Sequence, residues 1–205
     1  MKAKLLLVTL LTPLWLLGSA TLFETIEQTD VGIGGYTLGK TLSGAQKEIA
    51  TQNAQKANIE GTYKFTDGML NIVADAKNDR VVLIYKAYDK LDNEMLKGVV
   101  GSYIGEYEEP TTITHNNIIY WFYDAKGAKI TLDEFEAWRS SMQPPKHDGP
   151  HAQNVSADKK PLGQMVMVKL SSNKPFNGEK AFSDGTAYLI ISSEALLTSN
   201  YTIKH

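Results

Sequence analysis

Three stretches of the chain hold residue types at spacings that could do chemistry. Gly34, Gly39, Lys40 and Thr41 fit the phosphate-loop pattern, with four residues between the glycines. Such a loop needs a buried strand before it and a helix after it, so that backbone N–H groups and the helix N-terminus face the phosphates. The helix is available after Ser43. The strand is not, because Phe23 to Asp30 carries Glu24, Glu27, Gln28 and Asp30. The expected structure is therefore a glycine-rich turn leading into a capped helix. The second stretch, Lys129 to Phe135, has the exit half of a calcium-loop pattern, with Glu134 at its twelfth position. The first, third and fifth positions are then Tyr123, Ala125 and Gly127, and none offers the carboxylate that calcium requires. A turn followed by a helix is expected instead, with Phe135 and Trp138 as its packing face. In the third stretch, His147 and His151 stand four apart around Asp148. On a helix they would converge on a metal ion, but Gly149 and Pro150 forbid a helix there. The two readings are an adventitious divalent ion and a solvated loop. His115, beside Asn116 and Asn117, is assigned no role.

Other familiar chemistry is missing from the sequence. The chain has no cysteine, which excludes disulfides, thiol catalysis and thiolate metal sites. It has no Gly-x-Ser-x-Gly elbow and no His-Glu-x-x-His. Carboxylates such as Glu106, Glu108, Glu109, Asp133 and Glu134 are plentiful, so no acid–base pair stands out. No catalytic residue, cofactor or metal ligand is assigned. Aromatic residues remain. Tyr120, Trp121, Tyr123 and Trp138 form a candidate recognition surface, because rigid amphipathic rings favour interfaces. Packing within a sheet is the competing explanation for the same residues.

The elements that would position these residues centre on Gly61 to Asp124. Tyr63 to Thr66 alternates apolar and polar, Asp67-Gly68 follows, and Met69 to Val73 completes a hairpin with an expected type I′ turn. Asp75 to Asp79 is a turn, and Arg80 to Tyr88 is a strand rich in branched and aromatic residues. Leu91, Met95, Leu96, Val99, Val100 and Tyr103 predict a helix capped by Asp89 and ended near Gly105. Its glycines, Gly98 and Gly101, are expected to let it lie close on the sheet. Ile118 to Tyr123 is apolar throughout and is expected to be a central strand. Upstream, Ser43 and Gln46 have capping-box spacing at the head of a helix. Downstream, residues 143–160 read as a long Pro- and Gly-containing loop, Gln164 to Leu170 and Thr186 to Ile191 as strands, and Glu194 to Leu197 as a helical turn.

Residues 1–20 read as a secretory signal: Lys2 and Lys4, an apolar run from Leu5 to Leu17, then Gly18-Ser19-Ala20. Residues 21–205 would then form a single mature domain, periplasmic or secreted, with no stable membrane anchor. The full chain carries 21 Lys and Arg against 23 Asp and Glu, and loss of Lys2 and Lys4 takes the net charge from −2 to −4. A mildly acidic chain without a basic block is a poor fit to nucleic acid. A protein of this length buries an adequate core without disulfides.

The sequence Leu38-Gly39-Lys40-Thr41 opening a helix, then a hairpin, then a strand carrying Trp121, resembles small bacterial envelope domains of the β-lactamase inhibitor protein type. Domains of that type also occur in outer-membrane-assembly lipoproteins. The resemblance spans at most Gly32 to Asp124, and the lipidated cysteine of the lipoproteins has no counterpart here. It implies a sheet face used to grip another protein. The expected fold is α+β, an antiparallel sheet of about five to seven strands with helices packed on one face. The expected function is non-enzymatic recognition or inhibition of an envelope or secreted protein. A small-ligand carrier, or a hydrolase with an unrecognised carboxylate or histidine site, is the alternative.

Overall fold

A computed structural model describes residues 18–142, 166–177 and 181–201. Most of the expected signal, the 143–160 loop, His147 and His151 lie outside those residues. The described chain is α+β. A helix, α1 (Gly18–Glu27), leads into a two-stranded ladder of β1 (Gly32–Ile33) and β2 (Tyr36–Thr37) and then into α2 (Gly44–Asn53). Four strands follow: β3 (Gln55–Lys56), β4 (Thr62–Asp67), β5 (Leu70–Asp75) and β6 (Val81–Leu91). Next come α3 (Asn93–Tyr107), β7 (Thr112–Thr114), β8 (Ile118–Tyr123), α4 (Leu132–Met142), β9 (Val166–Ser172), β10 (Gly185–Ser192) and α5 (Glu194–Asn200).

The main sheet has eight strands in the order β3-β4-β5-β6-β10-β9-β8-β7, one more than the upper expectation. Every neighbouring pair is antiparallel. The chain builds one meander from an edge to the centre at β6. It then crosses by α3 to the opposite edge and builds a second meander inward from β7 to β10. Each meander is preceded by a helix, α2 or α3, so the two halves share one topology. The tight β4–β5 loop of the first half is matched in the second by α4 and the residues up to Val166. That insertion, and the lack of any shared residue pattern, is why no repeat is visible in the sequence.

β8 is therefore one strand in from the edge, not central. Its unbroken apolar run has another cause. Ile119 and Trp121 point into the main core, while Tyr120 and Phe122 lie on the opposite face, where α4 covers Phe122. The helices are also not confined to one face. Leu96, Tyr103 and Tyr107 of α3 and Ala50 of α2 join the core with Phe65, Ile84, Leu189 and Trp121. α4 and α5 cover the other side, with Leu197 beside Val73 and Leu83. We call these the core face and the reverse face.

Several local expectations are met by hydrogen bonds. Ser43 and Gln46 form the reciprocal capping box of α2. α3, however, is capped by Asp92, whose Oδ1 accepts from the Met95 N–H, because β6 continues through Asp89 to Leu91. It also runs through Gly105 to Tyr107, since Tyr107 gains a buried seat against Trp121. A Cβ added at Gly98, Gly101 or Gly105 would meet nothing within 4 Å, so these glycines do not serve close packing on the sheet. The hairpin loop is Gly68-Met69, and only Gly68 has positive φ, at 57°. That is the signature of a type II′ turn rather than I′. The lead before Gly32 is helical as α1, because Leu22, Phe23 and Ile26 recur on one side and pack inward.

Candidate recognition surface

The alternation of β8 separates the four expected surface residues into two pairs. Trp121 is wholly buried on the core face, where its Nε1–H donates to the Glu108 carbonyl at 2.9 Å. It packs against Tyr107, which stacks on Tyr103. Trp121 is thus a core residue and leaves the candidate surface. Tyr123 is half-buried, and its hydroxyl is pushed up to about 12, chiefly by burial and then by Glu108 and Glu106. Neither residue joins Tyr120.

Tyr120 and Trp138 are brought together by residues the sequence did not single out for that role. On the reverse face Tyr120 stacks on Phe122 with centroids 5.5 Å apart and planes 7° apart. Phe122 stacks on Phe135 of α4 at 5.0 Å and 10°. Phe135 meets Trp138 at 5.8 Å, tilted 35°. The result is a ladder of four rings running from the sheet onto α4. Lys169 of β9 places its ammonium 5.9 Å from the Tyr120 ring centre. Such a cation over a ring face is attracted by the quadrupole.

The ladder opens onto a strip across the middle of the sheet. The paired register lines up Asn71, Tyr85, Ile190, Lys169, Tyr120 and Thr112 on five consecutive pairings of the reverse face. The next row holds Ala87, Tyr188, Ser171, Ile118 and Thr114. Strand alternation puts both rows on the side away from Trp121. Most of these side chains are partly exposed, and Tyr188 is 44% exposed. The strip combines flat rings with short hydroxyl side chains around one lysine. Of its rings Tyr120 is held by stacking on Phe122, and its serine and threonine hydroxyls can each donate or accept a hydrogen bond.

The other candidate sites are occupied by internal bonds. Around the glycine motif, the N–H groups of Leu38, Gly39, Lys40 and Leu42 donate to the carbonyls of Val31, Val81, Thr37 and Asp79. A phosphate cradle needs such groups free. Gly39 has φ +81°, and a Cβ there would lie 2.8 Å from the Glu27 nitrogen and 2.9 Å from the Phe23 oxygen. Its glycine identity serves close packing on α1. In the second stretch, Glu134 accepts from the Thr131 N–H and hydroxyl, and Asp124 accepts from the Lys126 and Ala128 N–H groups. The two Thr131 bonds hold the Glu134 carboxyl below its ordinary value. His115 is exposed and, with Asn116, takes positive φ in the β7–β8 turn, a conformation that His and Asn tolerate. Among the described residues no group of three or more His, Asp or Glu side chains could hold a metal ion.

Among the described residues one carboxyl is shifted upward: burial raises Glu106 at the end of α3, against the opposing charge of Lys86. Nearby, the hydroxyls of Tyr88 and Tyr103 bond to each other and Lys86 lies 4.8 Å from the Tyr88 ring centre. No histidine belongs to this group among the described residues.

No helix among the described residues is long and apolar enough to cross a membrane. Comparison of the chain with protein-family models, with curated proteins and with solved structures finds no match.

Proposed function

We propose that the protein is an exported, non-enzymatic binding protein of the bacterial envelope that recognises or inhibits another protein through the reverse face of its sheet. The observation that carries this reading is the partly exposed aromatic strip around Tyr188, Tyr120 and Lys169, braced by the stacked Phe122, Phe135 and Trp138 rings. Tyr120, already held by stacking on Phe122, gives up little entropy when a partner binds. The export signal supplies the compartment, and Leu22, Phe23 and Ile26, the α1 side chains in the core, all lie beyond the expected cleavage after Ala20. Glu106 is the starting point for the hydrolase alternative, but it lacks a partner acid with a similar shift among the described residues.

The test is affinity capture of the exported protein from its own envelope fraction, wild type against the double variant Tyr120→Ala/Tyr188→Ala. One stoichiometric partner held by the wild type and lost by the folded variant is the expected result. Equal recovery by both proteins places the contact elsewhere, and recovery of no protein by either removes the recognition reading in its strong form.

A further inference from the structure

The strip is not neutral. Its two rows carry one charged side chain, Lys169, at the centre, and no carboxylate. Lys169 is flanked across the sheet by Ile190 on one side and Tyr120 on the other. The four ion pairs among the described residues are Lys47–Asp79, Arg80–Glu27, Lys129–Glu108 and Lys174–Asp184, and none involves Lys169. Its contact is the Tyr120 ring, which orients the ammonium without neutralising it. Elsewhere the chain is acidic overall. A single cation set in a partly desolvated aromatic surface favours a partner charge of opposite sign more strongly than a lysine in open water does.

Resting on the recognition reading above, we infer that the protein partner presents a carboxylate to Lys169, next to an apolar side chain that seats on Ile190 and Tyr188. The carboxylate would accept a charge-assisted hydrogen bond from the ammonium. The neighbouring Ser171 and Thr112 hydroxyls supply further donors and acceptors on the same strip. A partner bearing lysine or arginine at that point would meet like charge with no acid in the two rows to relieve it, so the position also selects against basic partners.

The experiment selects a random peptide library displayed on phage against the purified protein, expressed as the full chain. Parallel selections use Lys169→Gln, Lys169→Arg, Tyr188→Ala and Tyr120→Ala, each checked for an unchanged melting curve. The expected result is enrichment of Asp and Glu beside an apolar residue in wild-type and Lys169→Arg selections. Affinity of those peptides should fall by about ten-fold or more in Lys169→Gln, as loss of a hydrogen bond to a charged group implies. It should also fall in the tyrosine variants. Peptides that need Tyr188 and Tyr120 but show no acidic bias, or bind Lys169→Gln equally well, overturn the inference and leave the recognition surface standing. Peptides indifferent to both tyrosine variants, or no peptides above background, overturn both.

Discussion

At the residue scale the structure turns on which side of a strand each side chain takes. Trp121 and Tyr120 are adjacent in sequence and have opposite roles. Trp121→Ala should destabilise the fold by about 3–5 kcal/mol, the usual cost of emptying a buried tryptophan site, and denaturant unfolding measures it. Tyr120→Ala should cost far less, since its ring is partly exposed and stacked on one neighbour. Both residues were visible as candidates in the sequence. Their separation was not, because a run apolar at every position hides its own alternation. Trp138 could be tied to Tyr120 only once Phe135 was known to reach Phe122 across the sheet. Lys169 gave no signal in sequence, since one lysine in a strand is ordinary. Asp79 offers a test of sign. The hydrogen bond from Lys47, helped by the Tyr63 hydroxyl and opposed by burial, holds its pKa below the ordinary value. A lowered folded-state value contributes stability that is present above the unfolded-state pKa and lost as pH falls through the folded one. Asp79→Asn should therefore flatten the stability curve below about pH 4, modestly because the Lys47 pair is partly exposed.

At the element scale, local signals identified most strands and the caps that rest on short-range chemistry. The Ser43 box was legible because both partners lie within three residues. Ser43→Ala should destabilise the protein by about 1 kcal/mol. The start of α3 was misplaced because nothing local says that β6 runs on to Leu91, where it pairs with Gly185 of β10, a partner far along the chain. The α3 glycines give the opposite prediction to those of the turn motif. Gly101 is helical with open space at its missing Cβ, so Gly101→Ala should stabilise the fold by about 1 kcal/mol in thermal unfolding. Gly39→Ala should be destabilising, because a left-handed residue would press a methyl group onto the α1 backbone.

At the scale of the whole molecule, two meanders of the same topology meet at β6 and β10. The α+β class and the antiparallel sheet were readable from strand patterning and turn chemistry. The strand order was not, since it depends on α3 carrying the chain to the far edge. Nor was the division of helices between two faces. The tyrosines offer a global probe. Burial is the main cause raising Tyr36, Tyr63, Tyr103, Tyr107, Tyr123 and Tyr201, with Asp67, Asp79, Tyr88 and Asp75 adding through hydrogen bonds at Tyr36, Tyr63, Tyr103 and Tyr201. A raised tyrosine value means stability that is full below the unfolded-state pKa of about 10 and lost as pH rises above it. Absorbance titration should show these tyrosines ionising late and together with unfolding. The central claim is that the reverse face of the sheet contacts a partner protein. Its most direct test is a photocrosslinking amino acid placed at Tyr188 in the strip and, separately, at Met69, which is 66% exposed on the β4–β5 turn. In cells of its own source, crosslinking to one defined protein from position 188 and not from position 69 is predicted. Crosslinking to that protein from 69 alone, or none from 188, would contradict the account.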